Sequence, residues 1–133
     1  MPDLSKSSEP IFAAVARIIA NGILTGTYPA GSKVPSTTEL STFFTINPIT
    51  AGRALTLLTE RGILEKRRGI GTFVTPDAAD RLRKERIEEF TASYIDPLIN
   101  EAWVLSIPID DIAERITVRA RKLRLRQQTG QPS

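Results

Sequence analysis

The segment Ser36-Thr37-Thr38-Glu39-Leu40-Ser41-Thr42-Phe43-Phe44-Thr45-Ile46-Asn47-Pro48-Ile49-Thr50-Ala51-Gly52-Arg53-Ala54-Leu55 decides the fold. Ser36 is a favoured helix N-cap, and Glu39, three residues on, completes a capping box. Leu40, Phe43 and Phe44 supply a buried stripe for that helix. Thr45-Ile46 leaves room only for a short turn. Asn47 then caps a second helix, with Pro48 at its first position, where a missing N–H breaks no bond. Ala51, Ala54, Leu55 and Leu58 make its inner face, and Arg61-Gly62 ends it with glycine where a C-terminal cap wants one. Two helices joined by a tight turn, the second with a polar amino end, form a helix-turn-helix pattern.

On the amino side, Pro10 opens an earlier helix. Ile11, Val15, Ile18, Ile19 and Ile23 recur at three- and four-residue spacing, and Thr25-Gly26 stops it. Thr27 to Lys33, with its Tyr-Pro-Ala-Gly, reads as a loop. On the carboxyl side, Ile63–Arg67 and Gly71–Val74 are short strands flanking Arg68-Gly69-Ile70, a hairpin with a basic tip. Helix, helix, turn, helix, hairpin is the winged variant of the motif. Beyond Pro76, residues 77–106 read as one long helix of roughly 45 Å, which Pro97 kinks or divides. Ile107-Pro108 turns the chain into a last helix. There Asp110 and Asp111 answer the helix dipole, and Ile109, Ile112, Ala113, Ile116, Ala120 and Leu123 line one face.

Composition narrows the function. The 133 residues include 18 Lys+Arg and 15 Asp+Glu, a net charge of +3. There is no Cys and no His. That removes disulfides and thiolate chemistry, and with them the commonest general base and metal ligand. An enzyme is therefore not expected, nor a metal, nor a cofactor. No stretch approaches the roughly 18 apolar residues of a membrane span, and the apolar run Ile11–Ala20 is interrupted by Arg17, unlike a signal peptide. The expectation is a cytoplasmic protein without membrane contact. Residues 1–76 carry a net charge of +3, 77–108 of −3 and 109–133 of +3. The first block is thus the candidate for touching a polyanion, and the middle block is not.

Pro10-Ile11-Phe12, Gly31-Ser32-Lys33-Val34-Pro35-Ser36, Glu39-Leu40-Ser41, Ile46-Asn47-Pro48-Ile49-Thr50, Arg53-Ala54, Arg61-Gly62-Ile63-Leu64 and Gly69-Ile70-Gly71-Thr72-Phe73-Val74 stand in the order found in the GntR family of bacterial transcription regulators. Over residues 10–75 the chain resembles that family. Residues 77–133 are too few for its large effector domains, and the short helical tail together with the Asn-Pro resembles the YtrA-type subfamily, whose members are dimeric repressors. Two positions depart from the pattern. Thr38 stands where the family usually has a DNA-contacting Arg, and Leu55 where YtrA-type members often have Tyr. Gly52, inside the reading helix, either admits a close duplex or simply weakens the helix.

The expected fold is mainly α with a small β-hairpin, a winged helix-turn-helix followed by a short two-helix dimerisation domain. Its parts are a DNA-binding domain over 1–76, a helical dimerisation and candidate effector domain over 77–126, and a disordered tail over 127–133, with the first eight residues also unordered. The expected contacts to double-stranded DNA are Ser36 and Thr38, then Asn47, Pro48, Ile49, Thr50 and Arg53 on the reading helix, and Arg67, Arg68, Gly69, Gly71 and Thr72 on the wing. Arg53 suits a bidentate bond to guanine, the wing glycines permit close backbone approach, and the helix amino end favours a phosphate. Without DNA, the same residues read as a cap, solvated side chains and a charge run that protects strand edges. Ile87, Phe90, Tyr94, Leu98, Ala102, Leu105, Ile112 and Ile116 are the expected dimer stripe, because two amphipathic helices cannot bury both stripes alone. Tyr94 and Trp103 are candidates to line a small-molecule effector pocket, with plain core as the alternative. The function implied is that of a sequence-specific regulator, a homodimeric repressor on a palindromic operator. The rival is a winged-helix protein-interaction module with no DNA role.

Overall fold

Pro10 precedes the first helix, and its carbonyl accepts from the amides of Ala13 and Ala14 at 3.0 and 3.1 Å. A computed structural model describes residues 9–128. The ends expected to be unordered lie outside that range, except that Gln127 and Gln128 belong to the last helix. Five elements lead: α1 (Ile11–Leu24), α2 (Thr37–Phe44), α3 (Pro48–Glu60), β1 (Leu64–Arg67) and β2 (Gly71–Val74). Then follow α4 (Ala78–Phe90), a π-helical turn (Thr91–Ile95), α5 (Asp96–Val104) and α6 (Ile109–Gln128). This is the mainly helical, winged arrangement expected. The chain divides into two compact units after Arg86.

In the first unit, Val15, Ile19 and Ile23 of α1 meet Leu40 and Phe44 of α2 and the Ala51, Ala54, Leu55 and Leu58 face of α3. Ile63, Leu64, Val74, Ala78 and Leu82 complete this core. Two residues expected in the buried stripes are exposed. Ile11 opens α1 at the edge of the core. Phe43 is 56% exposed, because Leu40 and Phe44, one four-residue stride apart, take the inner face of the short α2. Its ring instead meets Phe44 edge-on, centroids 4.8 Å apart.

β1 and β2 pair antiparallel, with Leu64 opposite Val74 and Arg67 opposite Gly71. The segment expected as loop before α2 contributes a third, irregular partner. Gly31 N–H donates to the Val74 carbonyl, Val34 N–H to that of Thr72, and Val74 N–H to that of Ser32, each at 2.9 Å. The wing is thereby tied to the entry of α2.

Glycine closes α3. Gly62 has φ +75°, its amide donates to Thr59 at 3.0 Å, and Ile63 donates to Leu58 at 2.9 Å, the double bond of a Schellman cap. Arg81 of α4 adds a second layer. Its guanidinium donates to the carbonyls of Gly62 at 3.1 Å and Arg61 at 2.7 Å, where the helix dipole is negative. A side chain at Gly62 would collide with that guanidinium, its Cβ falling 2.6 Å from Nη1. Arg61 pairs with Glu85, and Arg86 donates to Asn21 of α1 at 2.7 Å.

In the second unit, Pro97 neither ends nor divides the helix. A proline cannot donate to the carbonyl four residues back, and its ring crowds that carbonyl. The chain answers with one wide turn over Thr91–Ile95, in which Asp96 N–H reaches back to Thr91. A second Schellman pattern closes α5. Ser106, at φ +56°, donates to Trp103 at 3.1 Å, and Ile107 donates to Ala102 at 2.9 Å. Ala102 is buried and Ile112 half-buried, whereas Ile87, Phe90, Tyr94, Leu98, Leu105 and Ile116 are exposed in the single chain.

Arg81→Met keeps the aliphatic stem and deletes both bonds to the α3 cap. It should cost about 1 kcal/mol of stability, read as a lower thermal midpoint by calorimetry. An unchanged midpoint would show that the cap does not depend on Arg81.

Candidate nucleic-acid interface

The face of the first unit away from its core is built by local capping chemistry. Ser36 Oγ accepts from Glu39 N–H at 3.1 Å, and Glu39 Oε1 accepts from Ser36 N–H at 3.0 Å. The Ser36 backbone N–H on Oε1, and after it the Ser36 side chain, hold the Glu39 carboxyl below its ordinary value. Thr38 follows Ser36 on the exposed first turn of α2, while Thr37 turns toward α3. Three residues link the two helices. Thr45 adopts φ +54°, and Ser41 Oγ donates to the Ile46 carbonyl at 2.6 Å. Asn47 Oδ1 accepts from Ile49 N–H at 2.8 Å and so caps α3, leaving its amide NH2 outward.

Asn47, Pro48, Ile49 and Arg53 are exposed and Thr50 is half-buried. Ile49 is 74% exposed, an unusual place for an isoleucine on a helix of a folded unit. Arg53 does not pair with an acidic neighbour among the described residues. Its guanidinium carbon lies 4.0 Å over the centroid of the Phe12 ring of α1.

On the wing, Arg67 lies 4.4 Å over the Phe73 ring and 3.6 Å from a carboxyl oxygen of Glu65. Arg68 and Gly69 sit exposed at the tip with Ile70. Gly69 has φ +75° and nothing within 4 Å of where a Cβ would stand. Gly71, at φ +143°, is covered by Lys33, whose Cε would be 2.5 Å from a Cβ there. Lys33 thus joins the basic wing from a segment distant in sequence.

Between α3 and the hairpin lies an open cleft of about 270 Å³. Thr37, Gly52, Thr56, Lys66 and Thr72 are among its lining residues, so the wing residue Thr72 faces the same space as α3. Glu60 stands there too, bringing one negative charge. Lys66 belongs to the basic run expected on the wing with Arg67 and Arg68, whereas Lys33, Phe12 and Phe73 were not among the expected contacts. The two lysines fall within the quoted motif or beside the basic tip, a usable signal. Phe12 and Phe73 also stand in quoted motifs, but nothing there shows which arginine each ring meets, because both stacks form between elements. Tyr94 and Trp103 are 67% and 82% exposed, each open to solvent in the single chain. Among the described residues no acidic cluster is arranged to hold a metal, and no helix is long and apolar enough to cross a membrane.

Comparison with known proteins agrees with this arrangement. Residues 12–74 match the family model described as bacterial regulatory proteins, gntR family. The HTH-type transcriptional repressor YtrA of Bacillus subtilis is 29% identical over 111 residues, spanning 84% of this chain and 85% of that protein. A GntR family transcriptional regulator from Listeria monocytogenes superposes with a TM-score of 0.71 at 32% identity, covering 84% of this chain and 96% of that one. The DNA-binding domain of AraR in complex with its operator ORR3 superposes with a TM-score of 0.50 at 31% identity, over 56% of this chain and 90% of that domain.

Gly52 has no packing reason to be glycine. A Cβ there would meet only Thr37, at 3.9 Å, an ordinary contact. Gly52→Ala should therefore raise the thermal midpoint, stabilising α3 by about 1 kcal/mol. A drop in DNA affinity alongside that gain assigns the glycine to close approach of a duplex. Equal affinity assigns it no part in contact.

Proposed function

The chain belongs to the gntR family of bacterial regulatory proteins and is a DNA-binding transcriptional regulator; we propose that it works as a homodimeric repressor. One observation carries the reading of the site. The amino end of α3 is capped by its own Asn47, and exposed Ile49 and Arg53 with half-buried Thr50 follow on its first turns, across a cleft from a basic hairpin. In this reading the turn from Asn47 to Arg53 enters the major groove. Arg53 takes a guanine edge, and Ile49 meets apolar surface such as a thymine methyl. Asn47, Pro48 and Thr50, with Ser36 and Thr38 on α2, follow the backbone, and the helix amino end adds its free N–H groups to a phosphate. Arg67, Arg68, Gly69, Gly71 and Thr72 lay the wing along the adjoining strand.

The exposed stripe of the second unit supports the dimer. Ile87, Phe90, Tyr94, Leu98, Leu105 and Ile116 are large apolar side chains that a monomer leaves in water. A two-fold copy covers them and presents paired reading helices to a palindromic operator with half-sites about one helical turn apart. Within residues 77–126, the part after Arg86 then serves dimerisation, since Ala78 and Leu82 belong to the core of the first unit. An effector binding near Tyr94 and Trp103 would act by shifting the dimer between spacings that do and do not match DNA. The repressor sign is supported by the likeness to YtrA. Repression follows from occupancy, since a bound dimer excludes polymerase. The protein works in the cytoplasm, without catalysis, metal or cofactor.

Affinity for DNA measured across a salt series separates this reading from a protein-interaction module. A DNA binder loses affinity steeply as salt rises. Replacing Arg67 and Arg68 together with Ala should weaken binding to all sequences and reduce the salt slope by about one for each phosphate no longer neutralised. A loss confined to one sequence contradicts the backbone role. Phe90→Asp should yield monomers in sedimentation equilibrium, and a persistent dimer would place the interface elsewhere.

A further inference from the structure

The geometry points to Phe12 as a positioning residue for base recognition, its ring serving as a shelf that holds the Arg53 guanidinium ready for the duplex. This rests on the reading of Arg53 as a base contact. Phe12 belongs to α1, outside the helix-turn-helix. It is half-buried and packed against the core, so its ring is fixed by the fold. The Arg53 guanidinium carbon lies 4.0 Å over that ring's centroid. Among the described residues the Arg53 guanidinium forms no ion pair and no hydrogen bond.

The chemistry of that contact fits a reading arginine. A ring face attracts a cation through its quadrupole and consumes none of the guanidinium's N–H donors. The fork that would grip a guanine edge therefore stays free while the long, flexible stem is confined. An arginine left loose would lose that freedom only on binding, at the expense of affinity. The wing provides a contrast. Arg67 also lies over a phenylalanine, Phe73, but it faces Glu65 as well, so its charge is already partly answered. Among the described residues, only Arg53 of α3 combines a ring partner with donors left open.

The test uses the full chain in four forms: wild type, Phe12→Leu, Phe12→Tyr and Arg53→Ala. Each selects from the same pool of random duplexes. Affinities are then measured for the duplex that wild type enriches and for unselected DNA, across a salt series, together with thermal midpoints. Phe12→Met runs in parallel, so that one poorly folding variant does not decide the outcome. We expect Phe12→Leu and Phe12→Met to weaken binding to the enriched duplex about threefold. They should relax the same base position that Arg53→Ala relaxes, with unselected binding and salt slope unchanged. Phe12→Tyr, which keeps the ring, should restore both affinity and preference. Adding Phe12→Leu to Arg53→Ala should have no further effect.

Several results overturn the inference. One is a base preference that survives removal of the ring. Another is a loss that is equal on both DNAs and tracks a lowered midpoint, as a purely structural role requires. Tighter binding without the ring would mean that Phe12 holds Arg53 out of the groove. If Arg53→Ala leaves the selected sequences unchanged, Arg53 reads no base, and the shelf falls together with the reading beneath it.

Discussion

The first unit depends on how α3 is seated. Its inner face presents Ala51 and Ala54, both without exposure, ahead of Leu55 and Leu58. Small side chains allow a helix to approach its neighbours closely, because the separation of packed helices is set by the residues between them. Val15 and Ile19 of α1 and Leu40 of α2 fill the space that remains. Burying this one face fixes the rotation of α3 about its own axis. The opposite face, with Ile49 and Arg53, is then committed to solvent before any ligand is considered. The two ends are secured separately, by Asn47 at the start and by Gly62 with Arg81 at the finish.

Features that arise from neighbouring residues were legible in the sequence. Ser36 with Glu39, Asn47 with Pro48, and Gly62 each act within one turn of chain, and each appears where its pattern requires it. The hairpin register follows from a short basic tip between two β-forming runs. Features that depend on elements meeting were not legible. Phe43 fits a helical stripe as well as Phe44 does, and only the shortness of α2 against its neighbours decides which ring is buried. Residues 31–34 are too rich in turn formers to read as a strand, yet three backbone bonds join them to β2. The same holds for the candidate site. The positions of Ile49, Thr50 and Arg53 on the first turns of α3 follow from the cap, but the ring beneath Arg53 belongs to another helix.

The interface is also modest in charge. Lys33, Lys66, Arg53, Arg67 and Arg68 stand on or beside it, against Glu39, Glu60 and Glu65. Glu39 is engaged in its own capping box and Glu65 faces Arg67. A surface of this kind draws a polyanion without gripping it indiscriminately, so that shape and base edges retain a larger share of discrimination.

The wide turn ahead of Pro97 has a geometric consequence for the second unit. Phe90, Tyr94, Leu98 and Ala102 succeed one another in strides of four. In an uninterrupted α-helix each residue turns the chain by roughly 100°, so three such strides would carry Ala102 about 120° around from Phe90. A π turn absorbs one residue without advancing the spiral, and the accumulated offset falls to about 20°. The proline's disruption thereby keeps four side chains in phase. Deleting one residue of that turn, such as Ala92, would restore regular winding and leave the row in phase, because eleven α-helical residues also return to about 20°; the wide turn is what reconciles the extra residue with an unbroken row.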